Sequence, residues 1–334
     1  MKWIYVLGID ISMDDFHVCL KEKDSSGRVR VLGSRTFSNT SGGFESLLVW
    51  LNKFRGTDGV QCVMEATGSY YEELAYFLHG LGRHVCVVLP NKVKHFAKSL
   101  NVKSKTDKLD ADTIAQVGIE RNLPRWTPMS PQWKGLRDLC RERLSLKKEL
   151  SRAKCQLHAI RHSHDKNQAV VDCKLRQIDF YENAIGDLEY EIERSIRSDE
   201  VLTARIANIE RVKGLGLITI ITILCETNGF LTFSSISQVA SYAGLDVEFK
   251  ESGKYKGRTR ISKKGNARIR QCLYMPALTA TQHDQNIRSL YERIVERNPT
   301  VKRKGVVAAM RKLLVLTYVL WKKNEEYDVN YRWK

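Results

Sequence analysis

Residues 3–10 read WIYVLGID and residues 60–67 read VQCVMEAT. Both are runs of strand-forming residues that reach an acid, Asp10 in the first and Glu65 in the second. Glu65 is followed by the small turn residues Ala66, Thr67 and Gly68, which present it at the edge of a sheet, where ligands of α/β proteins bind. A third stretch, TDKLDADTIA at 106–115, carries Asp107 and Asp110 three residues apart, a spacing that places both on one face of a helix. Taken singly, each acid reads better as a turn residue, a helix cap or part of a solvated face. Taken together, they form a candidate set of hard oxygen ligands for magnesium or manganese.

The pattern around these stretches predicts strands at 3–11, 16–22 and 29–37 as an antiparallel meander. A helix at 42–54, a strand at 60–66, a helix at 70–81, a strand at 84–89 and helices at 91–100 and 108–121 follow. That order is the RNase H-like arrangement of a mixed sheet with flanking helices, an α/β domain over 1–127.

Pro124, Pro128 and Pro131, clustered with Trp126 and Trp133, mark a linker. Beyond it Leu136, Leu139, Leu146, Leu150, Ala153, Leu157 and Ile160 keep the three-four alternation of a heptad seam, broken at Arg143. After a polar turn at 162–168 a second seam runs through Leu175, Ile178, Ile185, Leu188 and Ile192. Residues 128–200 therefore read as a linker and a helical hairpin or coiled-coil arm, with packing inside one subunit and oligomerisation equally open. The remainder, 201–334, reads as mainly helical. Its segment RVKGLGLITI, 211–220, resembles a helix-hairpin-helix turn in which Gly214 and Gly216 open backbone amides toward a phosphate, or equally an ordinary glycine turn.

Residues 251–270, ESGKYKGRTRISKKGNARIR, carry eight basic residues against one acid: Lys254, Lys256, Arg258, Arg260, Lys263, Lys264, Arg268 and Arg270. Interspersed glycines and serines break helicity there, so a structured loop that grips a phosphate backbone is the better reading than a solvated charge run. A serine in such a positive field is a candidate nucleophile, since the field favours its alkoxide and the charge developing on an attacked phosphate. On residue chemistry alone Ser252 and Ser262 are equivalent.

Composition supports a polyanionic partner. The chain has 334 residues, 55 Lys and Arg against 38 Asp and Glu, and a formal charge of +17. Its longest apolar runs, 215–225 and 313–321, are too short to span a bilayer, so no membrane partner is expected. The eight cysteines include no CxxC pair and no histidine at zinc spacing, and the N-terminus reads as a strand rather than a signal peptide. A reducing, cytoplasmic location follows.

The motifs GID at 8–10, MEATGSY at 64–70, KTDKLDA at 105–111, AGL at 243–245, ESG at 251–253, ISKKGN at 261–266 and LYMPA at 273–277 together resemble a DEDD transposase of the "IS one-ten" insertion-sequence family, which includes pilin-gene invertases and bridge-RNA-guided recombinases. The resemblance covers nearly the whole chain. It implies a RuvC-like N-terminal domain, a coiled coil and a C-terminal transposase domain. It also implies that Asp10, Glu65, Asp107 and Asp110 bind magnesium (or manganese) and that Ser252, rather than Ser262, is the nucleophile. The expected activity is RNA-guided recombination through a covalent phosphoserine link. The expected partners are donor and target DNA, a structured guide RNA and further copies of the chain, as dimers forming a tetramer, at the nucleoid of a prokaryotic cell. Two other classes remain: a RuvC-like nuclease that hydrolyses branched DNA, and a coiled-coil nucleic-acid-binding protein with a degenerate nuclease fold. Against the latter stands the presence of all four acids.

Overall fold

The computed structural model describes residues 5–54, 59–100, 106–249, 251–253, 255–257 and 259–328. Two compact units divide at Pro128, Met1–Pro128 and Met129–Lys334.

In the first unit, β1 (Tyr5–Ile11), β2 (Asp15–Lys23) and β3 (Val29–Ser38) form the expected antiparallel meander. Helix α1 (Ser41–Leu51) follows, capped by Thr40, and then β4 (Gln61–Glu65), α2 (Glu72–Gly80) and β5 (His84–Val88). β4 lies parallel to β1, and β5 parallel to β4, giving a mixed sheet of order β3-β2-β1-β4-β5. This is the strand order of the RNase H-like arrangement. Helices α3 (Pro90–Ser99) and α4 (Asp107–Glu120) complete the unit. β1 is central and almost wholly buried, which explains why its sequence is apolar up to Asp10 instead of alternating.

The seat of α4 on the sheet depends on a glycine. A Cβ at Gly8 would stand 2.2 Å from the Ala111 carbonyl oxygen and 2.3 Å from the Ala115 nitrogen. Only a residue without a side chain lets the helix backbone approach β1 this closely.

The second unit begins with two long helices, α5 (Pro131–Arg161) and α6 (Gln168–Arg197). Ion pairs of Arg143 with Glu189 and of Lys154 with Glu182 show them antiparallel, since partners advance along one helix as they retreat along the other. Leu136, Ala153, Leu157, Ile178, Ile185 and Ile192 are buried on the seams read from the sequence, whereas Leu175, at the start of the second seam, is exposed. The break at Arg143 has a structural reason: its largely buried guanidinium reaches across to Glu189.

Helices α7 (Glu200–Glu210), α8 (Leu217–Glu226), α9 (Ile236–Tyr242), α10 (Ala267–His283), α11 (Gln285–Arg297) and α12 (Arg303–Lys323) build the rest around a core in which α8 is apolar along nearly its whole length. Gly214, at φ +98°, turns the chain from α7 into α8 where a Cβ would meet the Pro276 carbonyl oxygen at 2.6 Å. Gly216 has open space around it and caps α8 with no side chain. The two glycines thus have separate tasks, tight packing and helix entry.

Between α9 and α10 the basic segment is a β-hairpin of two nested ladders. β6 (Val247–Glu248) pairs antiparallel with β9 (Arg260–Ile261), and nearer the tip β7 (Glu251–Ser252) pairs with β8 (Tyr255–Lys256). Among the described residues no helix is long and apolar enough to cross a membrane. All eight cysteines are free thiols, and Cys19, Cys62, Cys86, Cys140 and Cys225 are buried.

Candidate functional site

The four acids converge on one end of the mixed sheet. Ile9 of β1 lies opposite Met64 of the parallel β4, so Asp10 and Glu65 each follow immediately on that matched pair. Asp110 directly precedes Ala111, the residue pressed against Gly8, and is thereby held beside β1. Asp107 lies one turn earlier in α4, whose start is fixed by the Thr106 hydroxyl accepting from the Leu109 amide.

The electrostatics shows that these groups share one field. Burial pushes the Asp10 carboxyl up to about 6, and the charges of Asp110, Glu65 and Asp107 push in the same direction, opposed by His17 on the neighbouring strand. A half-buried carboxylate that is reluctant to ionise beside three others is a place where a divalent cation lowers the free energy by neutralisation. Hard carboxylate oxygens also suit magnesium or manganese in kind. Among the described residues no three acidic, histidine or cysteine side chains stand as a closed ligand cluster.

Asp112, the third acid of α4, is absent from this set for a visible reason. It forms a 3.0 Å ion pair with Lys21, whose ammonium is buried in β2 and also donates to Gln116 Oε1 at 3.0 Å. Two residues past Asp110, it turns away from Asp10 by more than a right angle around the helix.

In the second unit the hairpin separates the two candidate serines. Ser252 is exposed at its tip, next to Gly253 at φ +56°. Ser262 is occupied at the base: its hydroxyl donates to Asp246 Oδ1 at 2.5 Å and accepts from the Lys264 amide. The basic residues separate as well. Arg260 and Lys263 are exposed. Lys264 pairs with Glu248 at 2.6 Å. Arg270 donates to the Ala243 and Gly265 carbonyls at 2.8 and 3.2 Å, bracing the hairpin's base. Arg268 stands 3.9 Å from Glu226. Lys254 and Arg258 lie outside the described residues, as does the side chain of Lys256.

Two participants escaped the sequence reading. His17 gave no signal, because a histidine in a strand is common and only the register places it across from Asp10. Glu226 was hidden at the end of an apolar run, LITIITILCE, yet its carboxylate is buried among arginines. A lone acid closing an otherwise apolar helix was the signal that could have found it.

Two family models match the chain. One, described as a transposase and of the DEDD type, covers residues 7–161. The other, the transposase IS116/IS110/IS902 family, covers residues 206–292. Similar proteins include the pilin gene-inverting protein of Moraxella bovis, 27% identical over 324 residues that cover 96% of this chain and 97% of the relative. The transposase for insertion sequence element IS1111A of Coxiella burnetii is 22% identical, covering 86% of this chain and 80% of that protein. Among solved structures, Thermus thermophilus RuvC shares 14% identity and a TM-score of 0.29, covering 36% of this chain and 99% of that one. At that score it is the strand order, not this likeness, that speaks for the fold. The chain belongs to the IS116/IS110/IS902 transposase family, and is thus a DNA transposase or recombinase.

Proposed function

We propose that the protein is an RNA-guided DNA recombinase that exchanges donor and target strands through a covalent serine link. Asp10, Glu65, Asp107 and Asp110 hold magnesium or manganese, which supplies charge neutralisation at the reacting phosphate. The Ser252 hydroxyl attacks a DNA phosphorus: an Oγ–P bond forms, one phosphodiester P–O bond breaks, the serine proton leaves to a base, and the departing deoxyribose oxygen takes a proton. The phosphoserine keeps the ester bond energy, and attack by a new strand's hydroxyl restores the free serine. Exposed cations such as Arg260 and Lys263 bind phosphates without reading sequence. Choice of sequence falls to base pairing with a structured guide RNA. Further copies of the chain, as dimers forming a tetramer, bring the strands together.

The observation that carries this reading is the contrast between the serines, Ser252 exposed at the hairpin tip and Ser262 bound to Asp246. Incubating the protein with magnesium, guide RNA and labelled donor DNA should yield an adduct that survives denaturant, absent in Ser252→Ala. The acid cluster by itself also suits hydrolysis. Free cleaved ends with no adduct, retained in Ser252→Ala, would replace the proposal with a RuvC-like nuclease acting on branched DNA.

A further inference from the structure

One heavily bonded buried charge of the second unit lies outside both the acid cluster and the Ser252 hairpin. The Glu226 side chain is only 3% exposed. Its two oxygens accept from Arg141 in bidentate fashion, Nε to Oε1 at 2.7 Å and Nη2 to Oε2 at 3.0 Å. Asn266 Nδ2 donates to Oε2 at 2.7 Å, and Arg268 Nε lies 3.9 Å from Oε1. Burial alone would raise this carboxyl, but the hydrogen bonds from Arg141 and Asn266 and the arginine charges outweigh it and keep the acid ionised.

The surroundings are fixed by further bonds. Tyr242 donates its hydroxyl to the Glu226 carbonyl at 2.8 Å, and its own carbonyl accepts from the Asn266 amide at 2.7 Å. Asn266 Oδ1 caps α10 by accepting from the Arg268 and Ile269 amides. Glu226 therefore ties together α5, α8, α9 and the start of α10, the element that follows the Ser252 hairpin.

A structural ion pair needs one arginine, and here there are two. The Arg141 side chain is 37% exposed and Arg268 48% exposed, so both guanidiniums reach from a dry carboxylate to solvent. Arg141 spends Nε and Nη2 on Glu226, which leaves its Nη1 donors over. Arg268 makes an ion pair at a length too great for a hydrogen bond, so its fork of donors is uncommitted. Two cations on one anion leave a net positive charge, and the planar fork of arginine matches a phosphate.

We propose that Glu226 is a positioning residue: its buried carboxylate aims Arg141 and Arg268 at a single phosphate of the DNA strand engaged beside the Ser252 hairpin, so that the two arginines act as one clamp. This rests on the reading that the second unit binds a nucleic-acid backbone.

The test is a double-mutant cycle on the full-length protein, with Kd for a labelled DNA duplex measured across a potassium chloride series. Arg268→Ala should weaken binding by about tenfold and flatten the log–log salt slope by about one. In a Glu226→Gln background the same substitution should cost less than about twofold, because the clamp is already unaimed. Thermal melts confirm that each variant is folded; if Glu226→Gln melts below assay temperature, Glu226→Asp, which keeps the charge and shortens the reach, takes its place. Equal losses from Arg268→Ala in both backgrounds, with additive changes in log Kd, would show a purely structural Glu226 and overturn the proposal. A flat salt slope for the wild-type protein would overturn it together with backbone binding. A missing adduct alongside intact coupling would remove the serine mechanism and leave the clamp standing.

Discussion

In the proposed reaction the acid cluster and the serine hairpin act from opposite kinds of support. Asp10, Glu65 and Asp110 stand on buried strand ends and on a helix seated against glycine, where backbone contacts set their positions. Ser252 stands on a ladder of two-residue strands, exposed, with a turn glycine beside it. Ligands for a small hard cation need positions fixed within a fraction of an ångström, which packing supplies. A nucleophile that must meet a large, independently bound polymer needs reach instead.

Breaking each support should therefore have different consequences. The largest effect is expected at the tip: Ser252→Ala should lower strand transfer by about 10⁴-fold or more while the melting temperature and DNA affinity stay unchanged, measured by adduct yield and product formation. A comparable loss of stability would show that the serine is structural.

At the acid site the backbone is the sensitive part. Gly8→Ala places a methyl against the Ala111 carbonyl and should cost about 1–3 kcal/mol by forcing α4 away from β1. Metal affinity should fall with it, as calorimetry would show, although no ligand has been changed.

Asp10 itself should behave in the reverse sense. Its folded carboxyl titrates at about 6 against 3.8 for the ordinary group, so the folded state holds the proton more tightly. Stability of the metal-free protein is therefore greatest below about pH 4, falls as pH rises through about 6, and stays lower above. Asp10→Asn should remove this dependence and, in EDTA at pH 7, stabilise the fold by about 1 kcal/mol once solvent screening of a half-exposed group is allowed for. Melts at several pH values check the sign; an asparagine variant less stable than wild type at pH 7 would mean that the four charges do not share one field.

The smallest effects distinguish the hairpin's cations. Lys263→Ala should flatten the salt slope of DNA binding by about one and leave stability alone. Arg270→Ala should instead lower the melting temperature, since its guanidinium satisfies two carbonyls. Lys264→Ala, which loses one exposed ion pair, should leave the melting temperature nearly unchanged.

Much of the first unit was legible because local pattern and tertiary environment agree there. Apolar runs that stop at an acid became β1 and β4, and the capped acidic turn became α4. From sequence the hairpin is legible only as a structured loop because its strands are two residues long, too short for an alternation to show. Its cations looked equivalent for a related reason: charge is visible in a sequence, but the partner that neutralises it is not. Glu248, Asp246 and the Ala243 carbonyl sort Lys264, Ser262 and Arg270 into supporting parts only once the chain has folded.

The sequence by itself determined the acids, the succession of strands and helices along the chain, the helical seams and the basic, serine-bearing segment, because each is written in the period or chemistry of near neighbours. Only the tertiary structure decided that Asp112 is neutralised by Lys21, that Ser262 is bonded while Ser252 is exposed, and that Glu226 holds two arginines from elements 127 residues apart in the chain. Pairing and burial depend on which distant groups exclude water from one another, and no local pattern records that.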